Sequence, residues 1–489
     1  MARCLLPYAR LPAIFLVCAL FAVIAGGCAS RVPTDEIRAS MASGDVSALG
    51  KRLEETHREY GELVTALNLA RVYQIDGRWA DSARAFNDAL VILEEYEGRA
   101  IVNIRGLASG AGTLFLARGA EGYFGTGYER SLLHTFNALN YLMLGDFSGA
   151  AAEIRRMEQR QTAWLEESQA RIENILADRE KVYASPEDLP KDYSMREIMS
   201  DAAVRGLLNN YQDAFSYALG AVLLRLAGDS QAAGVNMRRA IVLDDRAKVF
   251  FEQAWPGAAA NEKLNWSGAP PLPEKSPEAG LRAAAGNRPN SRLQEVIIIG
   301  FSGLSPSLGV ETVRIWVPVV GHIPIDLPAY TRRGLSGSAL SAFGPARTSI
   351  PLHQLLRTDL LAYRTLWDSM RVEAGLAVSR ALTRAGIAAG AYIAANSNSA
   401  TREYAALIGS LTMVLLDLTA QSMATSVRNW ETLPNIGYLA GARVPHGASV
   451  TIASGANRSE IRLPEEARGV IILATQLSDN NLKVHHVTY

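Results

Sequence analysis

Residues 66–90 read ALNLARVYQIDGRWADSARAFNDAL, and this stretch decides how the first half of the chain folds. Its apolar residues recur at the three- and four-residue spacing of an amphipathic helix. One break, at Asp76-Gly77, separates two such helical runs. Glycine ends a helix readily because it adopts the left-handed backbone at no steric cost. The stretch therefore predicts two antiparallel helices joined by a turn at Gly77.

The same pattern of small residues, large residues and a glycine occurs in two further segments. Its positions are Ala70, Tyr73, Gly77, Trp79, Ser82, Phe86 and Ala89 in the first segment, Ala138, Tyr141, Gly145, Phe147, Ala150, Ile154 and Met157 in the second, and Ala221, Leu224, Gly228, Ser230, Ala233, Met237 and Ala240 in the third. Small residues let two helices approach closely, and large residues fill the space between them. Recurrence of one unit predicts stacked helical hairpins.

These segments resemble tetratricopeptide repeats. The resemblance implies a TPR-like all-α superhelical domain over residues 46–255, with a concave surface that binds an extended peptide or a partner helix. Generic helical hairpins are the alternative. A Gly-rich stretch at 97–130 does not follow the repeat and is interpreted as an insertion.

The second half of the chain differs in composition. Residues 256–292 are rich in Pro, Gly and Ala, which predicts a linker. Strands are expected at 293–299, 310–319, 448–453, 470–474 and 483–488, and helices at 352–389 and 401–426. The predicted fold class is therefore α+β: the helical domain is followed by a C-terminal mixed domain, 293–489, with β-strands and two or more helices.

The N-terminus has the pattern of a lipoprotein signal. Arg3 and Arg10 precede an uncharged apolar run at 11–24, which ends in Ala25-Gly26-Gly27-Cys28. This run is too short to span a bilayer as a helix, and its pattern is typical of a secretory signal. The junction resembles the lipobox of bacterial lipoproteins. We therefore expect a signal peptide at 1–27 and a polar tether at 28–45.

Cysteine usage supports lipidation. Of the three cysteines, Cys4 and Cys18 lie in the expected leader, so the mature chain would carry Cys28 alone. A single cysteine in a secreted protein calls for an explanation, and acyl chains such as palmitate on Cys28 provide one. An ordinary signal peptide with a chance cysteine is the alternative. Ala29 after the cysteine, by resemblance to lipoprotein sorting rules, indicates the outer membrane, facing the periplasm.

The charge balance argues against nucleic-acid binding. The chain has 49 basic and 49 acidic residues, and loss of the leader leaves 47 basic and 49 acidic side chains, a net charge near −2. A nucleic-acid-binding domain normally carries a basic patch, and none is present here. The expected partners are an envelope protein and, through the lipid, the membrane.

Four residues are candidates for a partner-binding surface: Tyr123, Tyr128, Glu129 and Arg130. They lie where the Gly-rich stretch meets a predicted helix. As the alternative, the tyrosines pack in the core and Glu129-Arg130 forms a surface or capping pair.

Motifs for chemistry are weak. His134 is expected to be a hydrogen-bonded core histidine, and His485 and His486 to point to opposite faces of a strand. The histidine spacing and the cysteine count predict no metal site, and no cofactor is expected. Ser302 lies in GFSGL, which falls short of the nucleophile elbow G-x-S-x-G.

The stretches Tyr123-Phe-Gly-Thr-Gly-Tyr-Glu-Arg130 and Arg428-Asn-Trp-Glu-Thr-Leu-Pro434 together resemble an uncharacterised family of bacterial envelope lipoproteins with tetratricopeptide-like helices. We therefore expect a lipid-anchored scaffold or adaptor for another envelope protein, in export, secretion or cell-wall assembly. An envelope hydrolase or polysaccharide-active enzyme, with a site near Ser302 or in the helical groove, is an alternative. A structural lipoprotein that binds the cell wall is another.

Overall fold

The computed structural model describes residues 32–106, 123, 125–161, 189–256, 293–317, 321–330, 339–370, 397, 429–478 and 481–489. The expected signal peptide, Cys28, most of the expected linker and the expected helix at 401–426 lie outside these residues. Within them, helices fill the first half of the chain and sheets dominate the second, which confirms the mixed α+β class. No helix among them is long and apolar enough to cross a membrane.

Besides the single helical residue Ser397 and a short 3-10 helix at Pro345–Arg347, the described residues include twelve α-helical segments. They are α1 (Thr34–Ser43), α2 (Val46–Tyr60), α3 (Leu63–Ile75), α4 (Trp79–Gly106), α5 (Gly127–Met143), α6 (147–161), α7 (Met195–Met199), α8 (Ala202–Arg205), α9 (Ala214–Leu226), α10 (Ser230–Leu243), α11 (Asp245–Ala254) and α12 (358–370).

Three helical hairpins, α3–α4, α5–α6 and α9–α10, follow the pattern predicted from the sequence. The glycines at their turns are left-handed, with φ of 76° at Gly77, 78° at Gly145 and 85° at Gly228. The residue after each glycine donates its N–H to a carbonyl five residues earlier, as in Asp229 N to Leu224 O at 2.9 Å. This confirms that each glycine ends the first helix of its hairpin.

Gly228 provides a direct test of these turns. A Cβ added there would meet no heavy atom within 4 Å, so Gly228→Ala has a backbone penalty and no steric clash. We expect this variant to lose about 1 kcal/mol of unfolding free energy, because only glycine and, less readily, asparagine adopt the left-handed region. Gly228→Asn is the matched control, with a smaller loss. Urea unfolding measures both, and an alanine variant as stable as wild type would contradict the assignment.

The strands form three sheets. Their bounds are β1 (Leu293–Ser302), β2 (Leu308–Val317), β3 (Gly321–Tyr330), β4 (Leu340–Phe343), β5 (Ser349–Ile350), β6 (His353–Arg357), β7 (Ile436–Pro445), β8 (Ser449–Ser454), β9 (Asn457–Arg462), β10 (Gly469–Ser478) and β11 (Asn481–Thr488). The five-stranded sheet has the order β11-β10-β1-β7-β6, the four-stranded sheet β5-β4-β8-β9, and β2 and β3 form a hairpin. Strand β1 is parallel to β10 and antiparallel to β7.

The molecule has three layers around the central strand β1. Ile297, Ile299 and Phe301 belong to a core shared with the helices, whereas Val296 and Ile298 belong to a second core shared with the four-stranded sheet. Side chains alternate between the two faces of a strand, so a strand buried on both faces reads as an unbroken apolar run. The first core joins the predicted helical domain to the predicted C-terminal domain.

The first helices of the three hairpins are covered by the chain's own sheet. All but one residue of α3 is buried, and so are eleven of the thirteen residues of α9. Phe301 on β1 lies 5.1 Å from Phe136 on α5 and 5.4 Å from Phe215 on α9, measured between ring centroids. The face expected to form an open concave surface is therefore occupied, because β1 supplies its apolar cover.

Three predicted segments differ from the structure. Helix α1 lies within the expected tether at 28–45, because Ile37 and Met41, one turn apart, are buried in the first core. Residues 97–106 continue α4 and 127–130 begin α5, so the predicted insertion is wrong at both ends. The expected helix at 352–389 begins late, because β6 pairs with β7 before α12 starts at 358.

Candidate functional site

Helices α3 and α5 meet β1 and the segment 429–433 at a place that we call the helix–sheet junction. Several buried polar side chains lie together at this junction. Trp430 occupies its centre and is fully buried. The Trp430 ring lies 5.8 Å from Phe86 and 5.9 Å from Phe136, in edge-to-face arrangements. Its Nε1 donates to Thr432 Oγ1 at 3.1 Å. The indole ring therefore packs against two aromatic rings, and its N–H has an acceptor, as a buried tryptophan requires.

Side chains from the helices hold the backbone of this segment. Trp430 N donates to Glu129 Oε1 at 2.9 Å, and Thr432 N donates to Asn68 Oδ1 at 3.0 Å. Buried backbone N–H groups need such acceptors, because leaving one unpaired is costly. The two stretches singled out in the sequence thus meet in the folded protein.

Glu129 caps α5 as well as binding the distant segment. Its Oε2 accepts from Thr126 N at 2.7 Å and from Thr126 Oγ1 at 2.8 Å, and the Glu129 residue is 1 % exposed. This is a capping box at the helix N-terminus. The carboxylate therefore has a structural partner for each oxygen.

The predicted partner-binding surface is corrected by this geometry. Tyr128 and Glu129 are buried, so they are not an exposed contact surface, and the packing and capping alternative describes them instead. Burial and the neighbouring Tyr330 and Glu129 raise the pKa of the Tyr128 hydroxyl well above its ordinary value. Tyr123 and Arg130 are only partly exposed, and Tyr123 packs against the first core.

A second buried carboxylate, Glu431, joins the junction to helix α1. Its Oε1 accepts from Ser307 Oγ at 2.8 Å, and its Oε2 accepts from Arg38 Nη1 at 3.2 Å. Arg38 also donates to Ser305 O at 2.9 Å. Burial raises the pKa of the Glu431 carboxyl to about 7, against the lowering effect of Ser307 and Arg38.

Glu431 makes stability depend on pH. Its pKa rises from 4.5 to about 7 on folding, so between these values the folded protein binds more protons than the unfolded chain. Stability must then fall as pH rises through that window. Between about pH 5 and about pH 8 we expect wild type to lose on the order of 3 kcal/mol relative to Glu431→Gln. Urea unfolding of both proteins at both pH values measures this. Parallel pH profiles would contradict it.

Arg71 on α3 is the most deeply buried cation of the junction. It is 1 % exposed, and its guanidinium carbon lies 4.2 Å from the ring centroid of Phe136 and 5.5 Å from that of Phe301. Its Nη1 donates to Gln74 Oε1, while Gln74 Nε2 donates to Asn140 Oδ1 at 2.6 Å. Burial lowers the pKa of Arg71 to about 9.

Ser302 does not have the geometry of a nucleophile elbow. It ends β1, and the turn at Gly303 leads into strand β2, whereas the elbow requires a strand-to-helix turn. Its Oγ donates to Tyr438 Oη at 3.4 Å in the interior of the protein. The near match to G-x-S-x-G is therefore part of a strand-to-strand connection.

The histidines have the environments predicted for them. His134 is buried, with its Nδ1 2.7 Å from Glu153 Oε2, which confirms a hydrogen-bonded core histidine. His485 contacts Ile75 O at 3.3 Å and the ring of Trp79, whereas His486 is exposed. Across the described ranges, no three His, Cys, Asp or Glu side chains lie together in a way that could hold a metal ion.

Sequence reasoning missed Arg71, Asn68 and Gln74, although the sequence carries a signal for them. They are spaced three residues apart on α3, so they lie along one helix face. A polar stripe within a helix that is otherwise apolar and small indicates buried polar contacts.

Compared with known proteins, the chain matches no protein-family model, no curated protein and no solved structure.

Proposed function

We propose that this protein is a lipid-anchored adaptor of the bacterial cell envelope, attached through Cys28 to the outer membrane and facing the periplasm. The pattern of Arg3, Arg10, the apolar run and Ala25-Gly26-Gly27-Cys28 supports the anchor. The hairpins, with their buried small residues and left-handed glycines, support a TPR-like array. Such arrays commonly serve as binding platforms for other proteins.

The burial of the helices supports one surface of the proposed array as the binding surface. The buried sides of α3, α5, α9 and α11 face the interior, and on α11 this side includes Phe250 and Ala254, the latter against Gly441 of β7. A partner can therefore reach only the outward sides of the helices. Val242 on α10 is 79 % exposed and Val249 on α11 is 44 % exposed. These two valines lie on consecutive helices, and we take them as the centre of the proposed contact. We therefore assign the partner contact to the α10–α11 face.

Photocrosslinking tests this assignment. A photoreactive amino acid replaces Val242 in one variant and Val91 in the other, since Val91 on α4 is also 56 % exposed but lies outside this face. Because the adaptor surface is local, we expect a crosslinked protein of defined mass from position 242 and none from position 91. The same adduct from both positions, or none from position 242 in intact cells, would refute the assigned face.

The anchor is tested separately by mass spectrometry of the N-terminal peptide. Wild type is expected to begin at Cys28 and to carry acyl chains, and Cys28→Ser is expected to lose them and to leave the membrane fraction. An unprocessed Met1, or an unmodified thiol at Cys28, would rule out the anchor while leaving the crosslinking result intact.

A further inference from the structure

Arg71 is buried, and it differs from two partly buried arginines, Arg38 and Arg225, in having no acidic partner among the described residues. Arg38 has Glu431 as its partner, and Arg225 forms two hydrogen bonds with Glu295, at 2.7 and 3.1 Å. For Arg71 the corresponding neighbours are Gln74 and two phenylalanine rings, with no acidic side chain among the residues that the structure describes. Its Nε is buried and has no hydrogen-bond partner there.

Such an arrangement is unfavourable for the protein alone. A guanidinium carries five N–H donors and stays protonated at neutral pH, even with its pKa lowered to about 9. Contact with an aromatic face offsets only part of the loss of hydration. Replacing a buried charge of this kind by an apolar side chain usually leaves a protein as stable or more stable. A residue that lowers stability with no structural gain is a candidate for a functional role.

The surroundings of Arg71 indicate which anion would fit. Phe136 and Phe301 lie against the guanidinium, which favours a ligand with a small apolar part next to the charge. The Nε–H of Arg71 is the buried donor that has no partner among the described residues, and a charged carboxylate oxygen is a strong acceptor for it. The side-chain amides of Gln74 and Asn140 are hydrogen bonded to each other. Arg71 is therefore the group that would bind the negative charge of the ligand.

We propose that Arg71 anchors a buried site for a small organic carboxylate at the helix–sheet junction. The ligand carboxylate accepts from Arg71 Nε, and its apolar part packs against the phenylalanine rings. This site is independent of the envelope location and of the α10–α11 contact. It assigns the protein a small-molecule ligand in addition to a protein partner.

Thermal unfolding of the purified chain in sodium acetate, phosphate or chloride at equal ionic strength tests the site. For wild type we expect acetate to raise the unfolding temperature by about 3 °C over chloride, because a ligand that binds only the folded state stabilises it. Arg71→Met is expected to lose this increment and to unfold no earlier than wild type in chloride. An equal acetate effect on both proteins, or stabilisation by phosphate alone, would overturn the proposal.

Arg71→Lys keeps the positive charge but loses the planar fork, so it separates charge from geometry. We expect this variant to retain less than half of the acetate increment. A direct measurement follows the line width of ¹³C-labelled acetate by NMR as protein is added. Broadening with wild type and none with either variant supports the site, and equal broadening with all three proteins rules it out.

Discussion

Replacing Trp430 with alanine is expected to lower the free energy of unfolding by about 3 to 5 kcal/mol. The indole is fully buried between Phe86 and Phe136, and its Nε1 has Thr432 as an acceptor. Its removal leaves a cavity between the helices and the segment 429–433, at the place where the two halves of the chain meet. Urea unfolding followed by circular dichroism measures the loss.

Two control variants distinguish this cavity from a general effect of losing a tryptophan. Trp430→Phe keeps an aromatic ring in the same space, so we expect a smaller loss. Trp79→Ala removes a partly exposed tryptophan from the start of α4, and its loss should also be smaller. If Trp430→Ala were no less stable than Trp79→Ala, the packing described for the junction would be wrong.

Glu129→Ala is expected to be similarly destabilising, by about 3 to 5 kcal/mol. The substitution removes the acceptor for Thr126 N, Thr126 Oγ1 and Trp430 N, all within 2.9 Å. It ends the capping box and leaves a buried N–H of the segment 429–433 unpaired. Chemical denaturation of the variant measures the change.

A matched control separates burial from charge. Glu94 on α4 is exposed and pairs with Arg160 at 3.3 Å, so Glu94→Ala should change stability by less than about 1 kcal/mol. Glu129→Gln keeps an acceptor oxygen but brings an amide donor into the buried site, and we expect an intermediate loss. Equal stability of the alanine variants at Glu129 and Glu94 would show that Glu129 does not hold the junction together.

Much of the fold could be predicted from local sequence signals. The hairpin glycines were predicted correctly, because left-handed backbone is a property of single residues. Strands β1 and β10 were found because both are dense in β-branched residues. Strand β7 was missed: it is rich in Gly and Ala, since Gly441 lies against Ala254 of α11, where a Cβ would come within 2.3 Å of the alanine Cβ.

The junction was predictable only in part. The capping motif at Thr126–Glu129 is local, and packing with capping was one of the alternatives considered for it. The partner of that glutamate is the backbone of Trp430, about three hundred residues away, and no local pattern encodes such a contact. For Arg71 the local signal, its three-residue spacing with Asn68 and Gln74, was overlooked, whereas the absence of an acid among its described neighbours depends on the tertiary fold.

Because β1 pairs with a strand near the end of the chain, the five-stranded sheet can form only after most of the chain has been synthesised. Ile297 pairs with Ile471, a residue 174 positions later, in the parallel ladder with β10. A ribosome therefore releases the first half of the polypeptide long before the strand that completes its cover exists. During that interval the apolar faces of the helices are uncovered. The nascent chain is therefore prone to bind holding chaperones and to be cleaved by proteases. A nonsense mutation near the end of the gene should consequently lead to degradation of the product, and a shortened working protein is not expected.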